Sequence, residues 1–317
     1  MTEGSGARGN APSVYVGPDE SKQWGPESVK EIRAAAERGG TRLTDPEEAE
    51  AIVWLGPPSE LSEVLHEGVR WVQLPSAGVE SWFESGALDT ERVYTSAVGA
   101  YAGQVAEHAL ALMLAGARRL PECARAQSWK TIFGRPFAGA TVVILGAGGI
   151  GRALIRLLQP FGTQIVAVTR SGREVEGATE SHAISDVEEL WPRGDFFVVA
   201  APATGATRHL IGADALAAMH EDAWVVNIAR GSLIDTEALV EALSEASIGG
   251  AALDVTDPEP LPDGHPLWTE PRALITPHSA NPPEAMARSL AERVEENVAR
   301  FATGDDLLGV IDVEAGY

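Results

Sequence analysis

Two groups of residues in this 317-residue chain could do chemistry. The first is Gly146-Ala147-Gly148-Gly149-Ile150-Gly151, a Gly-x-Gly-x-x-Gly turn that could seat the phosphates of a dinucleotide. Glycine serves a separate purpose at each place: a tight turn at Gly146, close approach to a pyrophosphate at Gly148, and close helix–strand packing at Gly151. Gly149 and Ile150 would open a helix whose N-terminal amides and dipole favour phosphate. The second group is Arg230, Glu259 and His278. Arginine is a permanent cation with a fork suited to a carboxylate and a carbonyl oxygen. Histidine can donate a proton near neutrality, and a carboxylate beside it favours the protonated ring. Such a set could hold an anionic carbonyl compound and give its oxygen a proton while a bound cofactor delivers hydride. Asp257 competes with Glu259 for the carboxylate role, and only the spacing from Asp254 favours Glu259.

Each group needs elements to position it. Thr141 to Leu145 is an apolar run leading straight into the glycines. Ala153, Leu154, Leu157, Leu158 and Phe161 then lie on one face of a helix that Gly162 closes. Further strands are expected at Gln164 to Val168, Asp195 to Ala200, Ala223 to Ile228, Ile248 to Leu253 and Ala273 to Thr276. Continuous apolar runs of this kind suit strands covered on both faces. Six strands with helices between them match a doubly wound dinucleotide fold, in which ligands bind beyond the carboxyl ends of the strands. Asn227 to Ser232, Asp254 to Pro260 and Thr276 to Ala280 all follow such ends. The second strand ends in Thr169-Arg170-Ser171-Gly172-Arg173, with no acid to accept from a ribose hydroxyl. A guanidinium and two hydroxyls there suit a 2′-phosphate, so the expected cofactor is NADP(H), with NAD the alternative.

An earlier alternation places strands at Ser13 to Val16, Ala51 to Leu55 and Arg70 to Leu74, with a helix at Pro26 to Glu37. Gln104 to Leu120 is apolar nearly all round, which predicts a buried helix packed between domains, with Pro121 just beyond it. A last long helix is expected at Pro283 to Phe301. The fold class is therefore α/β, with two Rossmann-like doubly wound parallel sheets. The substrate domain is discontinuous, 1–103 plus 283–317, around a dinucleotide domain at 104–282.

Composition narrows the classes of function. A formal net charge of −22 argues against nucleic acid. No run of about 18 apolar residues implies a membrane span. The stretch Met1 to Pro12 reads as a loose tail without a signal-peptide core. Cys123 is the only cysteine, so neither disulfides nor a metal site is expected, and a cytoplasmic location fits.

Arg230 in Asn-x-x-Arg-Gly, Glu259 five residues after Asp254, and His278 after Thr-Pro resemble the D-isomer-specific 2-hydroxyacid dehydrogenase family. Val105 to Leu114 is similar to that family's inter-domain helix, and the likeness covers nearly the whole chain. Ala201-Pro202-Ala203-Thr204 with Thr207 to Ile211 resembles its loop beside the cofactor. The resemblance implies cofactor contacts from Ala201, Pro202, Thr207, Ala229, Asp254 and Ala280, with Asp254 accepting from the nicotinamide carboxamide. It also implies substrate contacts from the Ser76-Ala77-Gly78 loop, whose amides would grip a carboxylate, and from Tyr101. A homodimer is implied, with Trp129 reaching a neighbouring subunit's site. Trp54 to Ser59 carries no cation for a phosphorylated substrate, and no regulatory domain is expected after the core. The favoured substrates are therefore glyoxylate, hydroxypyruvate or a similar 2-oxo acid. An NAD-linked 3-phosphoglycerate dehydrogenase and a nucleotide-sensing corepressor of the same fold are the alternatives.

Overall fold

The computed structural model describes residues 11–21 and 23–314; of the tail expected over Met1 to Pro12, only Ala11 and Pro12 fall among them. The chain divides into two compact units, Met1–Tyr101 with Pro282–Tyr317, and Ala102–Asn281.

The first unit holds strands β1 (Ser13–Gly17), β2 (Arg42–Leu43), β3 (Ala51–Trp54), β4 (Trp71–Gln73) and β5 (Val93–Thr95), with helices α1 (Pro26–Arg38) and α2 (Glu80–Glu84). All pairs are parallel, in the order β2-β1-β3-β4-β5. This is the flavodoxin-like form of the doubly wound sheet. The sequence pattern anticipates β1, β3 and β4. It misses β2 and β5, because one is two residues long and the other begins on an exposed Val93. The helix Pro283–Thr303 packs back on α1, where a side chain at Gly39 would meet Glu295 O at 2.6 Å.

A buried polar network locks β4 and β5 to this last helix. Asn297 Nδ2 donates to Gln73 Oε1 at 2.8 Å and to Leu308 O at 3.0 Å, and Leu308 N donates back to Asn297 Oδ1 at 2.8 Å. Thr95 Oγ1 donates to Gln73 Oε1 at 3.0 Å while accepting from Trp71 Nε1 at 2.8 Å. Gln73, Thr95 and Asn297 are wholly buried, so each polar atom depends on these partners.

The second unit begins with helices α3 (Ala102–Ala117) and α4 (Leu120–Arg125). Strands β6 (Thr141–Leu145), β7 (Gln164–Thr169), β8 (Glu180–Ala183), β9 (Phe196–Val199), β10 (Trp224–Asn227), β11 (Gly250–Leu253) and β12 (Ala273–Ile275) follow. Helices α5 (Gly149–Leu158), α6 (Ala213–Ala218) and α7 (Thr236–Ser244) lie between them, and Pro283–Thr303 is α8. The sheet is all parallel in the order β12-β11-β10-β9-β6-β7-β8, the dinucleotide arrangement with one strand added. It has seven strands rather than the expected six. The extra strand, β8, is a polar, half-buried edge with no apolar run to announce it.

The apolar pattern of α3 predicts burial on most faces, but the structure buries one stripe only. Val105, Ala106, Ala109, Leu112, Met113, Gly116 and Ala117 face α5, β10 and β11, while Leu110 and Leu114 are half-buried. Pro121 follows soon after the end of α3 and sits in the first turn of α4, where its missing N–H costs nothing. No helix among the described residues is long and apolar enough to cross a membrane.

Replacing Asn297 with alanine would remove the side-chain partner of both Leu308 N and Leu308 O and one of the two donors to the buried Gln73 Oε1. The expected cost is about 2–4 kcal/mol, read as a lower midpoint in urea unfolding.

Candidate active site

One row of paired residues crosses the second sheet: Val168, Leu145, Val199, Asn227, Leu253 and Ile275. Every candidate of the second unit that sits at a strand end starts just beyond this row. Gly146 follows Leu145, Thr169-Arg170 follows Val168, and Ala200-Ala201-Pro202 follows Val199. Arg230 lies three residues after Asn227, Asp254 one after Leu253, and His278 three after Ile275. Parallel pairing thus delivers residues more than 100 positions apart to one edge.

Sheet order reverses between β6 and β9, and there the glycine turn does its packing. Gly146 has φ +109°, and a side chain on it would stand 2.6 Å from Ala200 O. A Cβ at Gly151 would meet Gly146 O at 2.2 Å, so α5 can start only if glycine stands at both places. Gly148 caps α5, and a Cβ there would meet nothing. The first helical bond runs from Arg152 N to Gly148 O, leaving the amides of Gly149, Ile150 and Gly151 directed out of the helix end. Open space in front of free amides fits a dinucleotide's phosphates. Thr169 Oγ1 is buried without a partner, an orphan group that a bound ribose or phosphate would satisfy. Arg170, Ser171 and Arg173 beside it are exposed, and neither guanidinium has an ion pair among the described residues.

Asp254 organises the third strand end. Its carboxylate is buried, and Oδ1 accepts from Thr276 Oγ1 at 2.6 Å, Ser279 N at 2.9 Å and His108 Nε2 at 3.3 Å. Oδ2 accepts from Ala280 N at 3.1 Å. Burial by itself would raise this carboxyl's pKa. The bonds from His108, Thr276, Ser279 and Ala280 outweigh it and hold the group down at about 2. Asp254 is therefore first an anchor for the loop 276–280, with three donors on Oδ1 and one on Oδ2. The amide of Ala280 is engaged in that anchoring.

Between those anchor points stands His278, with φ +50° and its amide bonded to Asp254 O at 2.8 Å. That left-handed backbone is costly for a residue with a side chain and persists because the surroundings impose it. His278 Nδ1 lies 2.7 Å from Glu259 Oε1. Of the two competing carboxylates, Glu259 is thus the one at the imidazole. Asp257 turns elsewhere, 3.9 Å from Arg208, and its carbonyl accepts from Thr236 Oγ1 at 2.7 Å.

Arg230 sits in the neighbouring loop. The buried Asn227 side chain staples it, donating to Arg230 O at 2.9 Å and accepting from Ala229 N at 3.1 Å. A Cβ on the next residue, Gly231, would come within 1.9 Å of Thr256 O. The Arg230 and Glu259 loops therefore touch backbone to backbone, which no side chain at 231 would permit. Ala201 and Pro202 border the switch point, but the Thr207 hydroxyl closes its own loop instead of standing free. It donates to Pro202 O and accepts from Thr204 N, both at 2.8 Å.

The remaining candidates belong to the first unit. The amides of Ser76, Ala77 and Gly78 have no partner among the described residues, as an anion-gripping loop requires. Tyr101 does not offer its hydroxyl to solvent; it is buried, donates to Pro75 O at 2.5 Å and so clamps that loop. Burial pushes its phenol pKa up. Asn227, Gly231 and Thr276 lie in the strand-end segments that the sequence singles out, though what each bonds or touches does not follow from type or spacing; His108 is the site residue that the sequence reading leaves out. The one available signal was polarity out of place, such as a histidine within an apolar helix.

Residues 110–280, over half of the chain, match the model of the D-isomer specific 2-hydroxyacid dehydrogenase NAD binding domain. The chain belongs to that dehydrogenase family. It is similar to a D-3-phosphoglycerate dehydrogenase of Methanocaldococcus jannaschii, 31% identical over 295 residues, covering 90% of this chain and 53% of that protein. Likeness to a glyoxylate reductase of Thermofilum pendens is 30% over 298 residues, covering 90% and 85%. A crystal structure of a family member from Xanthobacter autotrophicus Py2, in complex with NADPH and MES, superposes with a TM-score of 0.82 at 27% identity, covering 97% of this chain and all of that one. As a dehydrogenase of this family, the protein is an NAD(P)-dependent oxidoreductase whose second unit binds the dinucleotide.

Because the folded pKa of Asp254 lies below the ordinary 3.8, its stabilisation is present above about pH 4 and fades as pH falls toward 2. At 1.36 kcal/mol per pKa unit this is worth about 2 kcal/mol. Asp254→Asn is expected to cost about 2–3 kcal/mol at pH 7. Urea unfolding at pH 7 and pH 3 should show the gap between variant and wild type narrowing in acid.

Proposed function

We propose that this dehydrogenase reduces a small, unphosphorylated 2-oxo acid, such as glyoxylate or hydroxypyruvate, to the D-2-hydroxy acid with NADPH. The observation that carries the reading is the 2.7 Å Glu259–His278 pair at the strand-end row that also bears Arg230 and the dinucleotide turn. The bound nicotinamide supplies the hydride. Arg230 binds the carboxylate and carbonyl oxygen and polarises the carbonyl. As the carbonyl carbon is reduced, its oxygen gains charge and takes a proton from His278 Nε2, the nitrogen turned away from Glu259. Glu259 fixes the ring tautomer and balances the imidazolium before the proton leaves, and the reverse sequence makes His278 the base for oxidation. The amides of Ser76, Ala77 and Gly78 supply the remaining grip on the carboxylate.

Support for NADPH comes from the exposed, unpaired Arg170 and Arg173, the lack of an acid at the end of β7, and the NADPH held by the Xanthobacter relative. Support for an unphosphorylated acid comes from the cation-free stretch after β3 and the glyoxylate reductase named among the relatives. We also propose a homodimer. Trp129 and Phe133, fully and largely exposed, give the second unit apolar surface to cover.

A panel of glyoxylate, hydroxypyruvate, pyruvate and 3-phosphohydroxypyruvate, run with NADPH and NADH, tests substrate and cofactor together. NADPH with glyoxylate or hydroxypyruvate should give the highest kcat/KM. A preference for NADH or for the phosphorylated acid would overturn the respective assignment. His278→Gln should lower kcat by about 100- to 10,000-fold with cofactor binding retained; full activity in that variant would remove histidine from the mechanism.

A further inference from the structure

Gln104 and His108 stand one turn apart on α3, polar residues in an otherwise largely apolar helix, and both reach the segment 276–281. Gln104 Nε2 donates to Asn281 Oδ1 at 2.9 Å, joining the first turn of the second unit to its last residue. His108 Nε2 lies 2.9 Å from Thr276 Oγ1 and 3.3 Å from Asp254 Oδ1. The Thr276 hydroxyl proton is committed to Asp254 at 2.6 Å, so its oxygen accepts from His108, which fixes the Nε2–H tautomer. Asp254 in turn holds the amides of Ser279 and Ala280 through its carboxylate and that of His278 through its carbonyl. A continuous set of hydrogen bonds thus runs from α3 to both flanks of the strained residue.

We propose that His108 is a positioning residue for His278, acting through Thr276 and Asp254; the inference rests on His278 being the proton donor proposed above. The Asp254 carboxylate is only 2% exposed and cannot replace a lost donor with bulk water. Without the His108 N–H, it regains its full hydrogen bonding only by shifting, and the amides of Ser279 and Ala280 shift with it. The left-handed backbone of His278 lies between those attachments. A displacement of about an ångström at a reacting group costs on the order of 100-fold in rate. Among the described residues no hydrogen bond or ion pair joins His108 to Glu259 or to the His278 ring, so its effect falls on placement of the donor.

The experiment compares wild type, His108→Leu, His108→Gln and His278→Gln in glyoxylate reduction with NADPH and with 4-deuterated NADPH. His108→Leu should lower kcat about 10- to 100-fold, leave the Kd for NADPH within about twofold, and enlarge the primary isotope effect as proton donation and hydride transfer become slower than the other steps. His108→Gln keeps an N–H donor near the Nε2 position and should restore most of the rate. A purely structural role would lower the amount of active protein and the Tm without moving the isotope effect. Should His108→Leu fail to fold, Thr276→Val removes the relay hydroxyl and gives the same readout. Wild-type kcat in His108→Leu, or equal losses in the Leu and Gln variants that follow Tm, would overturn the inference while an inactive His278→Gln leaves the proposed function standing. Full activity in His278→Gln would overturn the proton-donor role and the inference with it.

Discussion

A carboxylate withdrawn from water must be fully hydrogen-bonded, and at Asp254 that requirement shapes the candidate active site. Its four donors come from α3, from the end of β12 and from the loop beyond it. Satisfying the buried charge therefore ties three separate pieces of chain together. The return is a loop held closely enough to keep a histidine in left-handed backbone, with its ring against Glu259. The strain at His278 and the stabilisation at Asp254 are one arrangement, because the same aspartate bonds the histidine amide through its carbonyl.

Around this anchor, reach is governed by the absence of side chains. Gly146, Gly151 and Gly231 each lie where a Cβ would strike a carbonyl oxygen. The first two let α5 begin directly over the turn, so its free amides face open space in front of Gly148. The third lets the Arg230 loop rest on the loop carrying Glu259. Chemistry-bearing residues are thus brought to one edge by glycine contacts between neighbouring loops and by a parallel register that aligns six strand ends. The first unit follows the same logic with polar groups: Gln73, Thr95 and Asn297 bond to one another and to Trp71, Leu74 and Leu308 where β4 leads to the Ser76 loop.

Much of this was legible beforehand where local physics is strong. The buried strands β6, β7, β9, β10, β11 and β12 announce themselves as apolar runs, and the glycine turn between β6 and α5 has its required context on both sides. Edge strands β2, β5 and β8 did not, because short or half-exposed strands need no apolar pattern. α3 looked buried all round, since an apolar side chain on a helix says nothing of whether a neighbour covers it. Tyr101 and Thr207 are expected to face substrate and cofactor, and only the structure shows where their hydroxyls go: that of Tyr101 clamps the loop at Pro75, and that of Thr207 closes its own loop.

By itself the sequence determined which residues could do chemistry and which strands would carry them: the glycines, Arg230, the acids after β11 and His278. Those depend on residue type, spacing and apolar periodicity, which are local properties. Only the tertiary structure decided which acid meets the imidazole, what holds the histidine backbone, and that His108 takes part. The choice between Glu259 and Asp257 is a matter of direction across a loop, and the tie from His108 to Thr276 spans 168 positions of chain. Hydrogen bonds at that separation depend on how strands and helices pack, and no spacing in the sequence encodes them.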